Sequence, residues 1–106
     1  MTTRRQERVN SLIKHIVASF LVNRINTAKA LVTVTRVEVS KDLRYAKIFL
    51  SVFPESEEKN IIVMIRNEKQ ALQSHLAKRL KTKFIPSLRF EIDQAEKKRQ
   101  QVEGLL

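Results

Sequence analysis

The chain has 106 residues, and its 21 Lys and Arg against 11 Asp and Glu give a formal net charge of +10. A chain of this length forms one small domain with a single modest core, and so large a positive excess points to a polyanionic partner. The absence of cysteine excludes disulfides, thiolate chemistry and cysteine-ligated zinc, and no apolar run is long enough to span a bilayer.

The first predicted element is an amphipathic helix that follows a short basic start. Its apolar residues recur at intervals of three and four and form one wide stripe: Val9, Leu12, Ile13, Ile16, Val17, Phe20 and Leu21. Such a stripe is typical of a helix that covers a core, and it should end around Asn23 to Thr27. No apolar signal-peptide region precedes the helix, so we expect a cytoplasmic protein.

A β-hairpin is predicted from Val32 to Val52, because two segments of period-2 hydrophobicity flank a short polar turn. In the second segment Ala46, Ile48, Leu50 and Val52 share one face, while Tyr45, Lys47, Phe49 and Ser51 share the other. In the first segment the apolar phase changes between Val34 and Val37. A β-bulge near Thr35 and Arg36 would restore the register.

A second helix should begin at Ser56, which can act as its cap after Pro54 ends the strand. Its apolar side carries Ile61, Ile65, Leu72, Leu76 and Leu80, interrupted by a polar run from Arg66 to Gln70. Pro86 requires the helix to end earlier. A third strand is expected at Leu88 to Asp93, with Leu88, Phe90 and Ile92 facing inward.

The predicted order is therefore helix, strand, strand, helix, strand. With both helices on one face of a three-stranded sheet, this is an α+β two-layer domain. We expect the domain to span residues 1–93. Residues 94–106 are polar until Val102, which is typical of a short tail helix or a mobile segment.

Basic residues concentrate in three almost purely basic stretches, at residues 4–8, 78–83 and 97–99. We predict a phosphate-binding surface on the second helix and its carboxyl-terminal end, made of Lys78, Arg79, Lys81 and Lys83 together with Arg66, Lys69 and Gln73. The amino-terminal Arg4, Arg5 and Arg8 form a second candidate group. The alternative for each of these residues is a solvated charge with no ligand.

Outward-facing aromatic residues on the second strand raise a further possibility. Tyr45, Phe49 and Phe53 alternate on that face and could stack on unpaired bases. The alternative, which we favour, is that the tail or a loop covers Phe49 and Phe53.

Catalytic and metal-binding signals are weak in this sequence. The only glycine is Gly104, so a glycine-rich phosphate loop is excluded, and His15 and His75 each lack a second ligand at suitable spacing. Glu91 and Asp93 could be imagined as an acid and base pair, but a solvated edge or a cross-strand partner for Lys47 is the better interpretation. We therefore expect no enzyme, no cofactor, no metal and no small-molecule substrate.

Several of these blocks together resemble the bacterial ribosome-binding factor A family. They are V-T-V-T-R-V-E-V-S-K-D-L with Y-A-K-I-F-L-S-V, then L-A-K-R-L and I-P-S-L-R-F-E-I-D, then the final L-L, and the resemblance runs from about Arg5 to Leu106. It implies a type II KH-like fold. It also implies a monomeric factor that binds the immature 30S subunit and 16S ribosomal RNA, assists maturation of the RNA 5′ end, and is linked to cold adaptation. An independent KH-like regulator of messenger or small RNA is the alternative.

One position departs from the pattern of that family. Its members carry an Ala-x-Gly kink between two helices, where this chain has Glu68, Lys69 and Gln70. These residues favour helix and include neither Pro nor Gly, so we predict one helix from about Ser56 to Lys81, bent mildly at most. The helical phase directs Glu68 toward the core, and its carboxylate should therefore reach solvent or a basic partner.

Overall fold

A computed structural model of the chain describes residues 2–25 and 29–104. Its elements are α1 (Arg4–Arg24), β1 (Leu31–Val39), β2 (Tyr45–Phe53), a 3-10 turn (Glu55–Glu57), α2 (Glu58–Arg79), β3 (Ser87–Ile92) and α3 (Gln94–Glu103). The predicted order is confirmed, and the tail contributes a third helix. Asn26 and Thr27 of the predicted end of the first helix, and the final Leu105 and Leu106, lie outside the described residues.

The three strands form one sheet in the order β1-β2-β3. β1 and β2 are antiparallel neighbours, and β2 and β3 are parallel, so α2 is the crossover between two adjacent strands. In the hairpin the register shifts between Val34 and Arg36. This confirms the predicted bulge, which lets Val34 and Val37 both face the core.

Both helices cover the same face of the sheet, as the apolar pattern predicts. Ile13, Val17 and Leu21 of α1 are almost fully buried against the inward residues of the strands, and so are Ile61, Ile65, Leu72 and Leu76 of α2. Leu12, which the helical pattern includes in the stripe, is 43% exposed at its margin.

The start of α1 is fixed to the hairpin by a side chain that the hydrophobic pattern does not single out. Thr3 and Gln6 form a capping box, in which each side chain accepts a hydrogen bond from the other residue's backbone N–H. Gln6 is buried and also donates from Nε2 to the carbonyl of Val39 at 3.2 Å. The amino terminus of α1 therefore lies at the turn end of the hairpin.

The predicted Ser56 cap is wrong. Residues Glu55–Glu57 form a 3-10 turn closed by a hydrogen bond from Glu57 N–H to the carbonyl of Pro54, and α2 begins only at Glu58. Ser56 is therefore used inside the turn, and the cap residue Glu57 makes no capping bond through its side chain.

The prediction of a single unbroken second helix is confirmed. α2 runs from Glu58 to Arg79 without interruption at the positions of the family's kink. The Glu68 carboxylate accepts a hydrogen bond from Arg24 Nη1 at 3.3 Å, so it finds the basic partner that its helical phase requires. The helix ends two residues before the predicted Lys81, because Leu80 adopts an extended conformation and buries its side chain.

The interpretation of Asp93 as a solvated strand residue or a partner of Lys47 is wrong. β3 ends at Ile92, and the Asp93 side chain is buried, where it caps α3 by accepting from Glu96 N–H at 3.0 Å. It also accepts from Thr35 Oγ1 at 2.6 Å and lies 3.5 Å from Arg36 Nε. The bulge thus supplies the partners that a buried carboxylate needs.

The aromatic residues on the outer face of the sheet differ in exposure. Phe49 is buried, with the Arg36 guanidinium carbon 3.9 Å from its ring centroid, so the ring is covered as expected, although the side chain over it comes from β1 and not from the tail or a loop. Phe53 is 75% exposed and Tyr45 is 64% exposed. The same expectation is therefore wrong for Phe53.

Candidate nucleic-acid interface

The path of the chain brings several basic segments to one end of the domain. α1 begins beside Val39, the β1–β2 turn lies at that end, and α2 returns to it because β3 starts by pairing Ser87 with Tyr45. We call this region the basic end. Its exposed cationic residues are Arg4, Arg5, Arg8, Lys41, Arg44, Lys78, Arg79, Lys81 and Lys83.

Two of the predicted groups therefore share this end, although most of the sequence separates them. The amino-terminal arginines lie at the start of α1, and the cluster at residues 78–83 lies at and beyond the end of α2. They share one end of the domain because β3 pairs in parallel with β2, which returns the end of α2 to the turn end of the hairpin. Lys81 and Lys83 lie beyond the end of α2. At the other end of the sheet lie carboxylates of the 3-10 turn, of the start of α2 and of the α3 cap, namely Glu55, Glu58 and Asp93.

An exposed aromatic residue lies among the cations of the basic end. Phe84 is 48% exposed, and its ring centroid is 5.6 Å from the Arg44 guanidinium carbon and 5.5 Å from Lys83 Nζ. An aromatic face beside two cations suits contact with a base and its phosphate. Phe84 and Arg44 are not among the predicted site residues, because their proximity depends on the hydrogen bond from Ser87 N–H to the Arg44 carbonyl.

The side of α2 that faces β3 carries Arg66, Lys69 and Gln73. Arg66 lines a mainly apolar cavity of about 380 Å³ with Ile62, Val63 and Ile92. Lys69 lines a second cavity of about 360 Å³. We call the two cavities together the α2–β3 groove.

The second of these cavities contains most of the groove's positive charge. Besides Lys69 it is lined by Tyr45, Lys47 and Arg89, and the last two are paired across β2 and β3. Tyr45 is one of the predicted stacking residues, whereas Lys47 and Arg89 are not among the predicted site residues. The alternation of the strands predicts their outward direction, but only the parallel register places them beside Lys69.

Gln73 has a different role from its predicted neighbours. Its side-chain Nε2 donates to the carbonyl of Pro86 at 3.0 Å, and its Oε1 accepts from Leu88 N–H at 3.0 Å. Both functional groups of the amide are therefore used to join α2 to the start of β3. Gln73 therefore holds α2 beside β3, and the two ends of its amide already bond the backbone of Pro86 and Leu88.

Within residues 2–25 and 29–104, no three His, Asp or Glu side chains lie close enough to hold a metal ion. In the same ranges no helix is long and apolar enough to cross a membrane.

The element order, the sheet order and the position of both helices define a type II KH-like α+β domain. The chain belongs to the ribosome-binding factor A family, since the model of the family described as Ribosome-binding factor A matches residues 5–106. The protein named ribosome-binding factor A from Prochlorococcus marinus is 37% identical over 108 residues, covering 98% of this chain and 88% of its own.

Solved structures agree with this assignment at the level of the fold. The crystal structure of ribosome-binding factor A from Thermus thermophilus superposes with a TM-score of 0.71 at 22% identity, covering 82% of this chain and 94% of that one. A homology model of the Thermus thermophilus protein, fitted into a cryo-EM map of its complex with 30S, superposes with a TM-score of 0.65 at 19% identity. It covers 89% of this chain and 97% of its own.

Proposed function

We propose that this protein is a non-enzymatic assembly factor of the small ribosomal subunit. It binds the immature 30S particle as a monomer in the cytoplasm, contacts 16S ribosomal RNA and assists maturation of the 5′ end of that RNA. Family membership supports the ribosomal role. The observation that carries the RNA contact is the convergence of exposed cations from α1, the hairpin turn and the end of α2 at the basic end.

Such a surface binds RNA chiefly through its phosphates. Each contact between a Lys or Arg and a phosphate releases counterions, so affinity falls as salt rises, and the slope reports the number of contacts. Phosphate contacts position a protein without reading sequence. Selection of the 30S particle then depends on how its RNA strands are arranged, which suits a factor that recognises an assembly state.

The α2–β3 groove extends this surface along the domain. At Glu68, Lys69 and Gln70 the helix is continuous and contains no glycine, so side chains keep an RNA backbone away from the helix backbone there. Long cationic side chains, including Lys69 and Arg66, reach the RNA instead. Recognition at this position is therefore electrostatic, with the exposed Tyr45 ring available for stacking.

The test is a salt titration of affinity for purified 30S subunits. Lys78→Ala with Lys81→Ala removes two charges of the basic end, and Lys98→Ala with Arg99→Ala removes two exposed charges of α3 as the matched control. We expect the first pair to weaken binding and to reduce the log–log salt slope by about 0.7 to 0.9 for each phosphate interaction that the substitutions remove. Equal effects of the two pairs would show that net charge alone determines binding.

Sedimentation distinguishes the proposal from an independent regulator of messenger or small RNA. An assembly factor should comigrate with free 30S subunits in a sucrose gradient and be absent from translating ribosomes. Comigration with polysomes, or with small ribonucleoproteins that lack the subunit, would favour the regulator.

A further inference from the structure

A third concave surface lies between the two helices, separate from the α2–β3 groove. It has a volume of about 290 Å³ and is lined by the carboxyl-terminal halves of α1 and α2. We call it the interhelical groove. Its lining includes Phe20, Arg24, His75 and Arg79, with His15 and Asn23 on the α1 rim.

The side chains of this groove form one connected series. Phe20 and His75 pack against each other in a tilted arrangement, with their ring centroids 5.5 Å apart and an interplanar angle of 50°. The Arg24 guanidinium carbon lies 5.2 Å from the Phe20 centroid, and Arg79 Nε donates to His75 Nε2 at 3.0 Å. Two guanidinium groups therefore flank a pair of aromatic rings.

Among the described residues, each of these guanidinium groups donates one hydrogen bond. Each guanidinium carries five N–H donors. The structure shows one bond from Arg24, to Glu68, and one from Arg79, to His75. Within the described residues Arg79 forms no ion pair with a carboxylate, so its charge is not neutralised.

The groove is also electrostatically suited to an anion. Burial lowers the pKa of His75, and the nearby charges of Arg79, Lys78 and Arg24 lower it further. His75 Nε2 accepts a hydrogen bond, so the ring is neutral in this arrangement. The Glu68 carboxylate is paired with Arg24.

We propose that the interhelical groove binds one nucleotide of single-stranded RNA, with its base against His75 and the phosphates on its two sides held by Arg24 and Arg79. This inference rests on the proposed function and adds a second contact region on the helical layer. The volume fits one nucleotide, since it lies at the lower limit of small-ligand sites. Arg79 belongs to both regions, so one RNA strand can pass from the basic end into the groove.

An acidic peptide could satisfy the same cations, but the aromatic pair favours RNA. A carboxylate side chain offers no flat face for an imidazole, whereas every base has one. Arginine also suits both parts of a nucleotide, because its planar fork matches phosphate and stacks on rings.

The first experiment follows the His75 ring by NMR in the full-length protein. A pH titration is recorded alone, with a short single-stranded oligoribonucleotide, with inorganic phosphate at matched ionic strength, and with an oligoglutamate peptide. We expect the oligoribonucleotide to raise the pKa of His75, because a bound phosphate favours the imidazolium. RNA binding that leaves the His75 titration unchanged would overturn the proposal. An equal rise with phosphate or with the peptide would overturn the assignment to RNA.

The second experiment changes a residue that is absent from the basic end. Arg24→Gln should reduce the salt slope of oligoribonucleotide binding by about 0.7, the value for one contact with a single strand. Arg99→Gln, which removes an equal charge from α3, should leave the slope unchanged. Equal slopes for Arg24→Gln and the wild type would overturn the proposal. If the Arg24→Gln variant binds 30S subunits as tightly as the wild type, and this binding still depends on Lys78 and Lys81, the proposed function is retained even where the groove proposal fails.

Discussion

Glu68 and Arg24 join the two helices through a hydrogen bond of 3.3 Å between Arg24 Nη1 and Glu68 Oε2. The two side chains are 36% and 55% exposed, so the pair contributes little to stability. Its significance is geometric. It lets a charged residue occupy the core-facing phase of α2, and the helix continues past the positions where the family pattern has a kink.

The continuity of α2 gives a direct prediction for Gln70. Gln70→Gly should lower the free energy of unfolding by about 1 kcal/mol relative to Gln70→Ala, because Gly is the poorer residue inside a helix. Urea denaturation of both variants measures the difference. A glycine variant as stable as the alanine variant would mean that the chain bends at this residue. Higher 30S affinity of Gln70→Gly would contradict recognition by side-chain charge alone.

The two phenylalanines of β2 on the outer face should respond very differently to truncation. Phe49→Ala should cost about 3 to 5 kcal/mol, because the ring is buried beneath Arg36. Phe53→Ala should change stability by less than about 0.5 kcal/mol, because the ring is 75% exposed. Thermal or urea unfolding compares them directly, and similar losses for both would show that Phe53 is covered in solution.

Asp93 should tolerate asparagine better than alanine. Asp93→Ala removes the cap of α3 and one acceptor each from Thr35 and Arg36, which keep Phe49 O and Glu38 as partners, at a cost of about 1 to 3 kcal/mol. Asp93→Asn keeps the capping oxygen and should cost less. Amide hydrogen exchange in α3 gives a local measurement beside the urea melt. Unchanged exchange in the alanine variant would exclude the capping role.

His75 should make stability depend on pH in the mildly acidic range. Its pKa in the folded protein is lower than the ordinary value of 6.5, so the unfolded chain binds the proton more readily. Stability should therefore fall as the pH drops below about 6.5 toward the folded pKa, and stay constant above that window. Urea unfolding of the wild type and His75→Gln at pH values of about 7.5 and 5.5 tests this. A variant that loses as much stability as the wild type would assign the effect to other groups.

The sequence was sufficient for the elements whose signals are local. The helical stripe of α1, the alternation of β2 and the bulge at Thr35 and Arg36 follow from hydrophobic period alone. The continuity of α2 follows from the helix-forming residues at the kink positions. The start of α2 could not be predicted in this way, because the same local residues suit either a 3-10 turn or the first turn of an α-helix at Glu55.

The candidate site could be predicted only in part, because it depends on pairing between residues that are far apart in the sequence. The cluster at residues 78–83 is visible as a run of charge, but its proximity to Arg44 and Phe84 requires the position of β3. In the same way, Asp93 looks like an outward strand residue until the bulge supplies Thr35 and Arg36 as partners. Polar residues with partners far away in sequence carry no periodic signal.

Action of this domain on the small ribosomal subunit through its basic end can be tested in cells. The decisive measurement is to crosslink the protein to RNA, sequence the RNA adducts and map the crosslinked residues. We predict that 16S ribosomal RNA dominates the adducts and that the crosslinks fall at the basic end, around Lys78, Lys81 and Phe84. Adducts dominated by messenger or small RNA, or crosslinks confined to α3, would contradict this role.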